Sequence, residues 1–156
     1  MSLHLVHPVH RATHRIGLYL DDLREPRLTQ GEAHVLAMLA HSQPLTVAEL
    51  HRGLAHKRST LTSILDRLTT QGLITRDVGT TDRRTFLIGL TRRGRAVAQR
   101  VRRHLSDLEE AVVKRVSAAD IKGFDHVILA LEHEAHRRTR HRRPDSVRGR
   151  ILAPLG

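Results

Sequence analysis

Two adjacent arginines, Arg83 and Arg84, follow Asp82 in a short polar stretch between two apolar runs of the chain. An exposed turn is normally built from residues such as Asn, Gly or Lys, so turn geometry alone does not explain two guanidinium groups side by side. Narrow A·T-rich minor grooves of duplex DNA concentrate negative potential and attract an inserted guanidinium group. The alternative is that Asp82 pairs with an arginine and only shapes the turn, although exposed pairs contribute less than about 1 kcal/mol.

A second set of side chains able to contact a polyanion lies between residues 57 and 68. In this segment an apolar stripe recurs at helical spacing, formed by Leu61, Ile64, Leu65 and Leu68. The other positions include cations and short hydroxyl groups, which are Lys57, Arg58, Ser59, Thr60, Thr62, Ser63 and Arg67. An ordinary solvated helix surface has a similar composition. The neighbouring elements must therefore decide between a binding surface and a plain solvated one.

The distribution of charge indicates duplex DNA as the polyanion. The formal net charge is +11, and residues 57–103 carry twelve Lys or Arg against three acidic residues. A second basic segment, residues 137–156, contains seven arginines against Asp145. The three aromatic residues, Tyr19, Phe86 and Phe124, are too few to build the stacking surfaces that bind single-stranded nucleic acids.

Several classes of function lack support in the sequence. There is no cysteine, which excludes disulfides, thiolate metal sites and thiol chemistry. No Gly-rich phosphate loop or nucleophile elbow is present, and no apolar run approaches the roughly 18 residues of a membrane span. The sequence predicts a cytoplasmic, single-domain protein that is not an enzyme, takes no cofactor and has no membrane partner.

Local signals place the two basic segments on a helix-turn-helix followed by a hairpin. Reciprocal capping pairs mark the starts of two helices, Thr29 with Glu32 and Thr46 with Glu49. The second of these should end near Gly53, and the basic helix follows it and closes at Gly72. "LITRDV" and "TFLIGL" then have the β-branched, alternating character of paired strands. The prediction is a mostly α fold with a small β-hairpin wing, in which the second helix enters the major groove and the hairpin reaches the minor groove.

Four segments, "LTVAEL", "STLTSILDRLTTQGLITR", "DRR" and "LTRRGRA", resemble the MarR family of bacterial transcriptional regulators over about residues 29–110. The resemblance implies a homodimer whose outer helices intertwine and whose two winged lobes bind consecutive major grooves of a pseudo-palindromic DNA operator. It also implies that Arg84 inserts into the minor groove, that Arg83 contacts the flanking phosphates, and that Asp82 braces the loop through Arg76. Lys57 departs from the small residue that the family usually has at this helix cap.

Apolar stripes outside the winged unit also favour a dimer. They run from Val9 to Leu23, from Val97 to Val116, and from Ile121 to Ala135 after a cap at Ser117. A self-complementary two-fold interface buries such stripes most simply, the alternative being packing against their own lobe. We predict one domain over residues 1–136, with the winged unit at about 29–90, dimerisation helices at about 8–24 and 92–136, and a basic tail at 137–156. The tail is either a solvated extension or an additional phosphate contact.

The resemblance further implies repression of transcription and a small-molecule effector bound between the dimerisation helices and the winged lobe. The residues predicted to line that pocket are Leu18, His34, Met38 and His104. A metal-responsive member of the family is an alternative, with two candidate ligand sets: His4, His7, His10 and His14, and Glu32, His34, His41 and His104. Pro8 disturbs the first set, and the long helix lacks a tight two-histidine motif, so no metal site is predicted.

Two further alternatives belong to other functional classes. A basic architectural protein would coat nucleic acid without reading its sequence, and an interaction module would have no affinity for DNA. The ratio of affinity for the operator to affinity for random DNA separates a regulator from an architectural protein, because a regulator prefers its operator by roughly 10³-fold or more.

Overall fold

The computed structural model describes residues 3–79 and 86–141, which form six helices and three short strands. The helices are α1 (Val6–Leu20), α2 (Gln30–His41), α3 (Val47–Leu54), α4 (Arg58–Thr70), α5 (Arg92–Val113) and α6 (Ala118–His141). The strands are β1 (Leu45–Thr46), β2 (Ile74–Val78) and β3 (Phe86–Leu90). The predicted fold class, mostly helical with a small β wing, is confirmed.

Side-chain caps define where most of the helices begin. Both predicted capping boxes, at the starts of α2 and α3, are present. The hydroxyl groups of Thr91 and Ser117 likewise accept backbone N–H bonds at the starts of α5 and α6. The N-cap of α4 is Lys57, which makes no side-chain cap hydrogen bond. The first turn of α4 therefore has N–H groups without a side-chain acceptor.

The three strands form one antiparallel sheet in the order β1-β3-β2. β2 and β3 pair over their full length, as the predicted hairpin requires. The hairpin prediction missed β1, which places Leu45 opposite Ile88. With only two residues, β1 is too short to show an alternating pattern. Its pairing nevertheless ties the start of α3 to the hairpin.

Three helix boundaries differ from those expected. The first helix, predicted at about 8–24, begins at Val6 and ends at Leu20, and it tolerates Pro8 because the first turn has no intrahelical bond for that residue to lose. Leu23 lies beyond this helix but packs against the core, so its apolar character reflects burial. α5 ends at Val113, short of the expected Val116. α6 continues past residue 136 to His141, and Glu134 pairs with Arg137 and Arg138 in this part of the helix.

The core holds α4 firmly in the first of two compact units, residues 1–110 and 111–156. The predicted stripe of α4 is fully confirmed, since Leu61, Ile64, Leu65 and Leu68 are all buried. These side chains share one cluster with Leu36 and Leu39 of α2 and with Ile88 of the sheet. Burial of each leucine side chain stabilises the folded state by about 1.5–3 kcal/mol relative to an exposed side chain. Among the described helices, none has a stretch long and apolar enough to cross a membrane.

Candidate nucleic-acid interface

The solvent face of α4 and its cap carry the seven residues of this segment that are predicted to contact DNA. All seven are exposed: Lys57, Arg58, Ser59, Thr60, Thr62, Ser63 and Arg67. The side chains of the first four make no hydrogen bond or ion pair with any described residue. Exposed cations without a protein partner can neutralise phosphate groups. The start of α4 is therefore the part of this surface best suited to a polyanion.

Two hydroxyl groups in the middle of α4 donate their hydrogens to the helix itself. Thr62 Oγ1 donates to the carbonyl of Arg58 at 2.9 Å, and Ser63 Oγ donates to the carbonyl of Ser59 at 3.0 Å. Each hydroxyl oxygen keeps lone pairs that can accept from the amino groups of cytosine or adenine, and the Thr62 methyl group can contact that of thymine. This face of α4 thus offers acceptors and a methyl group beside its cations.

A buried carboxylate on α2 fixes the position of Arg67. Glu32 is 2% exposed, and its Oε1 accepts a hydrogen bond from Arg67 Nε at 2.6 Å. Its Oε2 accepts from the backbone N–H of Thr29 at 2.7 Å. The Arg67 side chain remains 50% exposed, and its Nη groups are left for a phosphate because the bond to Glu32 uses Nε. Arg67 therefore joins α4 to α2 while it faces solvent.

A second ion pair joins α4 to the wing. Nη2 of Arg76, on β2, donates to Oδ1 of Asp66 at 2.6 Å, and the Asp66 side chain is exposed. The predicted partner of Arg76 is Asp82, which lies with Arg83 and Arg84 outside the described residues. The roles assigned to those three residues stay predictions. Within the described chain, Asp66 is the residue that links β2 to the solvent face of α4.

Close backbone contacts position the wing and α5 against the end of α4. Gly72 has a φ of +66°, in the left-handed region that favours glycine after a helix. The hydroxyl of Thr91 donates to the carbonyl of Gly72 at 2.7 Å and accepts from the N–H of Gly94 at 2.9 Å. A Cβ atom on Gly94 would overlap the carbonyl oxygen of Leu73. Only glycine lets α5 approach the wing this closely.

Comparison with known proteins shows that this winged unit matches a protein family. The model of the MarR family matches residues 28–86, which include α2, α3, α4 and β2. The winged unit of this chain is therefore similar to the MarR family. No curated protein matches the chain by sequence.

Solved structures with the same fold extend the MarR-type similarity beyond the matched segment. A MepR–DNA complex from S. aureus has a TM-score of 0.73 at 20% identity, covering 85% of this chain and 99% of that one. The PcaV regulator of Streptomyces coelicolor, in complex with its natural ligand, has a TM-score of 0.71 at 21% identity, covering 85% and 94%. A mutant of MarR from E. coli, complexed with operator DNA, has a TM-score of 0.65 at 25% identity, covering 81% and 89%.

The residues predicted to line an effector pocket have separate surroundings. They are Leu18, His34, Met38 and His104. The ring of His104 stacks on Tyr19 with centroids 3.9 Å apart, and its Nε2 lies 2.9 Å from the Tyr19 carbonyl oxygen. Burial, and next the nearby His56, hold the pKa of His34 below its ordinary value. Met38 lies against Gly53 of α3. Their shared role as a pocket stays a prediction.

Two cavities of the structure are lined by other residues. One of about 760 Å³ is lined by the loop between α1 and α2, namely Asp21, Leu23, Arg24, Glu25, Arg27, Leu28 and Thr29. Another of about 390 Å³ opens between α3 and α4. Within residues 3–79 and 86–141, no group of three or more His, Asp or Glu side chains could hold a metal ion. The second candidate ligand set includes Glu32, whose carboxylate already accepts hydrogen bonds from Thr29 and Arg67.

The sequence contained a signal for the buried position of Glu32 that our interpretation missed. Glu32 lies three, four and seven residues before Val35, Leu36 and Leu39, so the capping residue also falls on the buried stripe of α2. A buried carboxylate needs a cation or hydrogen-bond donors, and Arg67 supplies the cation. No comparable signal indicates the contact between Asp66 and Arg76, because an exposed pair on two different elements leaves no periodic pattern.

Proposed function

We propose that this protein is a MarR-family transcriptional regulator that binds double-stranded DNA in a sequence-specific manner, with α4 in the major groove and the hairpin loop at the minor groove. The observation that carries the proposal is the solvent face of α4, where unpaired cations flank hydroxyl groups on a helix fixed by its buried stripe. A helix of this kind fits the width of the major groove. MarR from E. coli and MepR share the fold and were each crystallised with DNA.

The proposed binding unit is a homodimer. Large apolar side chains remain exposed near the end of α5 and on α6, including Val112, Val113, Phe124 and Leu129. Phe124 and Leu129 are 61% and 62% exposed, respectively. Grouped exposed apolar side chains mark interaction surfaces. A second copy of the chain would cover them and supply a second α4 for a half-site about 34 Å away.

We also propose that the protein represses transcription and that a small-molecule effector modulates it. PcaV, which shares the fold, was crystallised with its natural ligand. The cavity beside the α1–α2 loop has a volume suited to a small molecule, and its lining includes Thr29. The N–H of Thr29 donates to Glu32, which holds Arg67 of α4. A ligand that moved this loop would therefore disturb α4, and half-site spacing tolerates little displacement.

The test is the selection of fragments bound by the full-length protein from a pool of random duplex DNA. The expected result is an enriched pseudo-palindromic motif with half-sites one helical turn apart. Recovery of DNA without any shared motif would support an architectural protein instead. Recovery of no DNA would contradict the proposal. Lys57→Gln should reduce recovery, whereas Lys122→Gln, the same change on α6, should leave it unchanged.

A further inference from the structure

A cavity between α3 and α4 combines two basic side chains without an acidic partner. Val47, Ala48 and His51 of α3 and Arg58, Leu61 and Thr62 of α4 line this cavity of about 390 Å³. His51 and Arg58 are the members of this lining that carry a titratable or charged side chain. Neither side chain makes a hydrogen bond or ion pair with another described residue. The cavity therefore has two nitrogen-bearing groups available for a ligand and no carboxylate to neutralise them.

The position of the cavity suggests which anion it receives. Arg58 and Thr62 belong both to its lining and to the exposed face of α4 that is proposed to contact DNA. The cavity therefore opens at an edge of that face. In a helix-turn-helix unit the first helix crosses the DNA backbone while the second lies in the groove. Here α3 is that first helix, so a backbone phosphate is the anion that would reach His51.

We propose that this cavity binds a phosphate group of the DNA backbone through the guanidinium group of Arg58 and the protonated imidazole of His51. DNA binding is then coupled to the uptake of a proton by His51. This inference rests on the proposed function, because it assigns a further contact to the same DNA-binding surface. It adds His51 to the binding residues, although the sequence pattern of α4 gave no reason to include a residue of α3.

The charge of the bound phosphate determines the direction of the pH dependence. Arg58 of α4 is the other charged side chain in the cavity lining. On α3, Arg52 follows His51 in sequence, and the Glu49 carboxylate is hydrogen-bonded to the N–H and hydroxyl of Thr46. A phosphate within reach of the imidazole favours its charged form. DNA affinity should therefore be highest at low pH and fall as pH rises, by at most about tenfold per pH unit for each lobe.

The experiment measures binding to a labelled random-sequence duplex of roughly 24 base pairs, which is about two helical turns. Fluorescence anisotropy gives the affinity from pH 8 down to pH 6 at constant ionic strength. A random duplex suffices because a phosphate contact does not depend on sequence. The wild-type protein should bind more tightly as pH falls. His51→Gln should weaken binding at the low end by about five- to tenfold and remove up to one proton of linkage per lobe. His51→Lys should restore affinity without that proton linkage.

Matched controls separate this contact from other histidines and from the fold. His126→Gln removes an exposed histidine of α6 and should retain the wild-type affinity and pH dependence. Circular dichroism and thermal melting check that each variant is folded, and His51→Lys decides the question if His51→Gln is unstable. Replacing part of the chloride by inorganic phosphate at equal ionic strength tests for a free phosphate ligand, which should not compete beyond the effect of salt.

The possible failures are distinguishable. If His51→Gln or His51→Lys keeps the wild-type change of affinity with pH, the role of His51 is wrong while the proposed function stands. Specific competition by inorganic phosphate would make the cavity a site for the free ion, which contradicts a backbone contact. If the wild-type protein binds no duplex at any pH, the proposed function fails, and this inference fails with it.

Discussion

The carboxylate of Glu32 lies 2.6 Å from the Nε of Arg67 and 2.7 Å from the backbone N–H of Thr29, so one buried side chain caps α2 and fixes α4 against it. The two bonds use different oxygens of the carboxylate. Any force that moves the start of α2 therefore acts directly on a side chain of the proposed DNA-binding face. In this domain the stability of the lobe and the placement of α4 depend on the same residue.

Glu32→Gln should lower the free energy of unfolding by about 1–3 kcal/mol, since an amide can serve only one of the two donors and leaves Arg67 or Thr29 without its acceptor. The measurement is urea unfolding followed by circular dichroism. Glu49→Gln is the matched control, because Glu49 closes the same kind of capping box on α3 but makes no ion pair or hydrogen bond with an arginine within the described part of the chain. Equal losses in the two variants would show that the bond to Arg67 adds nothing to the cap.

Gly94→Ala should destabilise the protein by several kcal/mol, on the order of the largest effects of single substitutions. Its Cβ atom would meet the backbone carbonyl of Leu73, which no side-chain rotation can relieve. The control is Gly123→Ala on α6, where a Cβ atom has open space. That variant should gain up to about 1 kcal/mol from helix propensity. Thermal melting of both variants checks these opposite signs, and a stable Gly94→Ala protein would contradict the close approach of α5 to the wing.

The winged unit could be predicted because its signals are local. The capping boxes, the apolar stripe of α4 and the turn at Gly72 each lie within a few residues of the element that they define. The contacts that position α4 are of another kind. Glu32 and Arg67 are 35 residues apart, and Asp66 meets Arg76 on a strand, so these pairs exist only after the chain has folded.

The same limit applies to the proposed site. The exposed side chains of α4 could be read from helical periodicity, because a buried stripe determines which positions face solvent. The role of His51 could not be predicted in this way, because the cavity that it lines is formed by the packing of α3 against α4. The first helix was placed about two residues late because its predicted start followed the apolar stripe that begins at Val9, whereas the helix begins at Val6 and includes Pro8 in its first turn.

Thr62→Ala should blur the preference for bases in the central part of each half-site while leaving stability almost unchanged. The substitution removes a hydroxyl acceptor and a methyl group from the exposed face of α4. The only hydrogen bond that it removes among the described residues is the one from the Thr62 hydroxyl to the carbonyl of Arg58, within the same helix. Thr70→Ala is the control, because Thr70 makes the equivalent bond to Asp66 at the far end of α4. Selection from random DNA should give the wild-type motif for Thr70→Ala and a relaxed motif for Thr62→Ala.

His34 should make the fold less stable in acid. Burial and the neighbouring His56 hold its pKa in the folded protein below the ordinary value of 6.5. The unfolded chain therefore takes up this proton first, so the free energy of unfolding is unaffected well above pH 6.5 and falls as pH drops below it. Urea unfolding between pH 8 and pH 5 measures the effect. His34→Gln should lose part of the acid sensitivity, whereas His126→Gln should retain all of it.

Arg84→Ala should weaken operator binding by roughly 1–3 kcal/mol, relax the preference for A·T pairs beside each half-site and lower the salt dependence of affinity. The expectation rests on the resemblance to the MarR family and on the attraction of a narrow minor groove for a guanidinium group.

Arg83→Ala is the matched variant. Because Arg83 is expected on the phosphates, its loss should weaken binding to all sequences about equally. Anisotropy titrations at several salt concentrations, with A·T and G·C flanks compared, measure both effects. An Arg84→Ala dimer that binds its operator as the wild-type protein does would show that the wing does not contact DNA, whereas a lowered melting temperature would assign Arg84 to the fold instead.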